Sequence, residues 1–231
     1  QFDIATYVEV ANELGIPLKG EADRWNRHPL AFLTEAADDI CYGIMDLEDG
    51  YKFNLLDFEI VSDLLIKICN ADSGKTKITD LGNIIDRKNQ IGYLRAKAIN
   101  SLIYQTADAF AENETEILNG KMEKRLCEII ESANIMKDIK GKSAEKIYSY
   151  KPVLQVEAAG FRVLPGLLDT FLYAAKDSKK PSSEKVLQLI PAEYKSSFDS
   201  EPYKTIVLIT SYVAGMTDTF AVDTYRNLRG I

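Results

Sequence analysis

Residues 30–48, LAFLTEAADDICYGIMDLE, put apolar and acidic side chains on two different faces of one helical period. At about 100° per residue, Leu33, Ala36, Ala37, Ile40, Ile44 and Leu47 form one stripe. Glu35, Asp38, Tyr42, Asp46 and Asp49 gather on the other side. Only a helix laid against a core satisfies such a pattern, because a strand would alternate every second residue. The same period recurs at about 4–14, 54–69, 90–113, 121–133, 153–175, 184–190 and 203–228. The stretch FRVLP (161–165) alternates briefly, but Pro165 and its helical surroundings fit a kinked helix better. Pro29 suits the first turn of the helix that follows it, and the Asp49-Gly50 pair is expected to end that helix. Two connections stand out as polar: 71–83 as a loop, and KDSKKPSS (176–183) as an exposed linker. The expected fold is all-α.

A chain of 231 residues, 46% hydrophobic and 27% charged, can bury one large core or two small ones. The expected division is 1–113, carrying the acidic helix, and 114–231, a C-terminal helical region. A net charge of −7 argues against a general nucleic-acid binder. No apolar run approaches the roughly 20 residues of a membrane span, and no charged-then-apolar leader opens the sequence. Cys41, Cys69 and Cys127 are odd in number and contain no CxxC, the usage of reduced thiols in a cytoplasmic protein. His28 is the single histidine, so chemistry that needs two histidines is not complete within these residues.

The acidic face poses its own question. Glu35, Asp38, Asp39, Asp46, Glu48 and Asp49 lie within 35–49, with no lysine or arginine among them. Like charges four apart on a helix repel by a few tenths of a kcal/mol, and Glu35 and Asp39 are such a pair. Asp38, Tyr42 and Asp46 stand one above another at i, i+4 and i+8. Two readings fit this column: a solvated acidic surface, or a face that meets a cation and a ligand. In the second, a divalent ion neutralises Asp38, while a sugar or base stacks on Tyr42 and is held by Asp46.

The string RHPLAFLTEAADDICYGIMDLEDG (27–50) resembles the dGTP triphosphohydrolase family, a branch of the HD-domain phosphohydrolase superfamily. IGYLRAKAINSLI (91–103) and YVAGMTDTFAVDTYRNL (212–228) are similar to later stretches of the same family. The resemblance implies the C-terminal portion of an HD-type helical core with a helical extension. It also implies hydrolysis of a deoxynucleoside triphosphate to the deoxynucleoside and triphosphate, with Mg²⁺ or Mn²⁺ as cofactor and a homo-oligomer as the intact form. By the same resemblance Asp38 is the last of four metal ligands, Tyr42 lies along the nucleotide sugar, and Asp46 sits near the 3′-hydroxyl. No counterpart of the family's histidine and His-Asp dipeptide occurs in this sequence, and His28, held extended before Pro29, instead orders the helix entry. The chain by itself is therefore expected to be inactive, with no catalytic residue of its own. A non-catalytic regulatory or interaction module and an HD-type nucleotidase acting on monophosphates are the competing functions.

Arg95 falls within the apolar stripe of Ile91, Leu94, Ala98 and Leu102 and needs a partner, since an unpaired buried charge is costly. Either a nucleotide phosphate or one of the acids supplies it. Residues 121–151 hold eight basic residues, Arg125, Lys137 and Lys140 among them, against five acids. That excess suits solubility or a polyanion, either single-stranded DNA or an effector nucleotide.

Overall fold

The computed structural model describes residues 4–20, 24–195 and 201–230. The described residues are helical with no strand, only an isolated bridge between Leu18 and Trp25. They fall into two compact units, 1–150 and 151–231.

In the first unit α1 (Ile4–Glu13) is followed by α2 (Pro29–Lys52), α3 (Phe58–Asn70), α4 (Arg87–Glu112), the short α5 (Glu114–Leu118) and α6 (Ala133–Lys142). The core lies where α2, α3 and α4 meet, with Ile44, Leu47, Leu65, Ile68, Ile91, Leu94 and Leu102 fully buried. Each of these sits on the stripe its helix presents every third or fourth residue. His28 caps α2: its Nδ1 accepts from the Leu30 amide at 3.2 Å, and Pro29 occupies the first turn. Asp86 does the same for α4, accepting from the Asn89 amide at 2.9 Å.

Two boundaries in this unit differ from the sequence expectation. α2 runs through Asp49-Gly50 to Lys52, because Gly50 is buried where Leu56 and Ile147 press on its backbone. A Cβ there would lie 2.8 Å from Leu56 Cδ1 and 2.9 Å from Ile147 Cδ1. The helix expected over 121–133 is a 3₁₀ turn at Leu126–Glu128, with α6 starting only at Ala133. In that turn the Glu128 side chain accepts from the Arg125 amide at 3.1 Å, a local bond that competes with continued helix. α6 then widens into a π-helical turn, Ser143–Tyr148.

The second unit comprises α7 (Lys151–Lys176), α8 (Pro181–Gln188), α9 (Pro202–Ala214) and α10 (Asp218–Arg229). α7 passes through Pro165 without a break. Its core joins Leu167 and Phe171 to Ile190, Ile209 and Val213. The single helix expected over 203–228 is two, bent by 115°, because Thr217 Oγ1 accepts from the Phe220 amide at 3.3 Å and starts α10 afresh. No single helix among the described residues is long and apolar enough to cross a membrane.

Candidate functional site

The acidic face of α2 meets α6 across a cavity of about 570 Å³ in the first unit. From α2 come Asp39, Tyr42, Gly43 and Asp46; from α6 and its flanks come Arg125, Cys127, Asn134, Met136, Lys137, Lys140, Ser143 and Tyr148. Tyr42 stands in the opening, 65% exposed, with its ring free to stack. Gly43 lets the two helices approach: a Cβ on it would lie 3.3 Å from Met136 Cε. Thus the positive charge missing from 35–49 is partly supplied within the chain. Arg125 pairs with Asp39 at 3.5 Å, and Lys137 and Lys140 line the same cavity without an ion pair among the described residues.

Asp46 is half-buried, and its Oδ2 accepts the Tyr148 hydroxyl. That bond, together with burial and the carboxylate charge, pushes the Tyr148 phenol up to about 12. Cys127 donates its thiol to the Ala36 carbonyl at 3.8 Å, and burial with the nearby Asp39 charge raises it to about 12, so it is an inert wall at neutral pH. Cys41, by contrast, is exposed on α2.

The four residues singled out from the sequence do not all converge. Tyr42 and Asp46 share the cavity wall. Asp38, on the same helix, is exposed and lies outside that lining. Among the described residues no three His, Cys, Asp or Glu side chains come together so as to hold a metal ion. A divalent cation takes several oxygen or nitrogen donors, and one exposed carboxylate does not make its site. Arg95 does not line the cavity either: its Nη1 contacts Glu48 Oε2 at 2.5 Å. Glu48 is only 8% exposed and also receives Lys52 at 3.3 Å. Of the two partners open to Arg95, the structure supplies the acid.

Sequence reasoning found Arg125, Lys137 and Lys140 as part of a basic stretch, not as a wall of this cavity. Their signal is the spacing of Ala133, Met136, Lys137 and Lys140, which share one face of α6. Tyr148 escaped because the π-turn breaks the 3.6-residue period between it and that face.

Residues 130–227 match the model of a phosphohydrolase-associated domain. It is 36% identical over 229 residues to a deoxyguanosinetriphosphate triphosphohydrolase-like protein of Synechocystis sp., covering 97% of this chain and 50% of that protein. A protein of the same description from Pseudomonas aeruginosa is 31% identical, covering 100% of this chain and 53% of its own length. A deoxyguanosinetriphosphate triphosphohydrolase of Yersinia enterocolitica is 28% identical, with 88% and 49% covered. Over nearly its whole length the chain is similar to the C-terminal part of these deoxyguanosinetriphosphate triphosphohydrolase-like proteins. It spans about half the length of these relatives.

Proposed function

We propose that this chain forms the nucleotide-facing C-terminal half of a metal-dependent deoxynucleoside triphosphate triphosphohydrolase, which converts dGTP and water to deoxyguanosine and triphosphate. The observation that carries this reading is the meeting of Tyr42 and Asp46, one turn apart on α2, with Lys137 and Lys140 around a single cavity. An aromatic face for a sugar or base, an acceptor for a hydroxyl and cations for phosphates are the three recognitions a nucleotide requires. The names of the relatives support the same substrate.

In this proposal Tyr42 stacks along the sugar and Asp46 accepts from the 3′-hydroxyl. Asp38 is the ligand the chain contributes to an Mg²⁺ or Mn²⁺ ion whose remaining donors are not among the described residues. Arg95 acts from behind, holding α2 in place through Glu48. The proposal extends to a cytoplasmic, homo-oligomeric enzyme.

The test is chromatographic analysis of the products formed from dGTP with Mg²⁺ or Mn²⁺. The natural protein that contains this chain is compared with the 231 residues alone. Triphosphate is expected from the former and none from the latter. Asp38→Ala abolishes turnover, whereas Tyr42→Ala chiefly raises KM, by the ~1–3 kcal/mol of a stacked side chain. Equal rates from the isolated chain would overturn the metal-ligand role of Asp38. Orthophosphate released from a deoxynucleoside monophosphate would replace the triphosphohydrolase with a nucleotidase, and no turnover by the natural protein would favour a regulatory module.

A further inference from the structure

We propose that Tyr148 is a positioning residue for Asp46, set in place by the π-helical turn, and that it governs how strongly the cavity distinguishes a sugar that carries a 3′-hydroxyl from one that lacks it. The inference rests on the reading of the cavity as a nucleotide site. Asp46 has two carboxylate oxygens and only one is engaged: Oδ2 accepts the Tyr148 hydroxyl, while Oδ1 has no partner among the described residues. A carboxylate pinned at one oxygen no longer turns about its own axis, so the other oxygen is held ready for a ligand hydroxyl. Such preorganisation strengthens binding by removing the ordering that would otherwise accompany it.

The turn explains how a residue 102 positions away in sequence reaches Asp46. α6 and the π-turn form one run from Ala133 to Tyr148. A π-turn holds one residue more than an α-turn. Had the helix stayed α, Tyr148 would be rotated by about 100° around the axis and would leave Asp46. The Ser149 hydroxyl donates to the Glu145 carbonyl within the turn, but its first residue, Ser143, is 1% exposed and its Oγ has no partner among the described residues. An orphaned buried hydroxyl weakens the fold. Wide turns of this kind are frequent at functional sites. Here that side chain is Tyr148, the one residue of the turn that bonds across the cavity to α2.

The measurement is kcat/KM for dGTP and for 2′,3′-dideoxyguanosine triphosphate, in the natural protein and in Tyr148→Phe. Tyr148→Phe keeps the ring and removes only the hydroxyl. The wild type is expected to prefer dGTP, and Tyr148→Phe to cut that preference by about tenfold, the effect of one hydrogen bond to a charged group. The dideoxy substrate should be nearly unaffected. A preference unchanged within twofold in Tyr148→Phe, or an equal fall for both substrates, overturns the positioning role. A wild type that acts on neither nucleotide overturns the nucleotide reading itself, and the positioning role falls with it.

Discussion

α2 and α7 are the two longest amphipathic helices outside α4, 24 and 26 residues, yet they meet their surroundings in opposite ways. α2 buries a stripe along its whole length, from Phe32 to Gly50, and turns its remaining face to a cavity. α7 buries only its second half, Val163, Gly166, Leu167, Phe171 and Ala174, and leaves Leu154, Val156 and Phe161 exposed in its first. Apolar periodicity thus promises a helix in both places, but it promises a covered face only where neighbouring helices are at hand. In α2 those neighbours, α3, α4 and α6, lie on several sides, which is why its polar face can be shaped into a site.

Core truncation is the severest way to challenge this contrast. Ile44→Ala in α2 and Phe171→Ala in α7 remove side chains with no exposed surface and should cost about 2–5 kcal/mol each, read as lowered denaturation midpoints. Phe161→Ala, which truncates an 81% exposed ring on the same helix as Phe171, should change the midpoint by less than about 0.5 kcal/mol. A large loss at Phe161 would mean that the first half of α7 is covered after all.

Glycines sharpen the comparison within α7. A Cβ on Gly166 would meet Tyr225 Cε2 at 2.3 Å, so Gly166→Ala must push an aromatic ring aside and should destabilise by roughly 1–3 kcal/mol. Gly160 has no neighbour within 4 Å of its Cβ position, so Gly160→Ala should stabilise by up to about 1 kcal/mol through helix propensity. Thermal melts of the two variants should therefore move in opposite directions. The smallest expected effect is on stability near neutral pH, where the buried thiols stay silent. Burial raises Cys69 to about 11 and Cys127 to about 12, so at pH 8 a thiol reagent should label Cys41 quickly and the other two only on unfolding. Because both folded values lie above the usual thiol range, this contribution is whole below about pH 9 and is lost as the pH rises towards 11 and 12. Rapid labelling of Cys127 would show that the cavity wall opens.

Much of this architecture was legible in the residues themselves. The stripe of α2, the capping role of His28 and the column of Tyr42 and Asp46 all follow from a 3.6-residue period and local hydrogen-bonding chemistry. What could not be read depends on tertiary contact. Gly50 looked like a helix end because a glycine's use as a packing site for Leu56 and Ile147 has no local signature. The choice between phosphate and acid for Arg95 needed Glu48, 47 residues distant. Tyr148 was hidden by a change of helical register that composition does not announce.

Gly43 and Met136 give the cavity a mechanical character. The α2 wall at that point is bare backbone, and what faces it at 3.3 Å from a notional Cβ is the end of an unbranched thioether chain. Methionine has three rotatable bonds and yields where a branched side chain would resist. The gap between the two helices therefore behaves as a compliant jaw: one side is fixed by the core stripe of α2, and the other gives way at its tip. A wider ligand can be admitted by turning one methionine, without moving either helix.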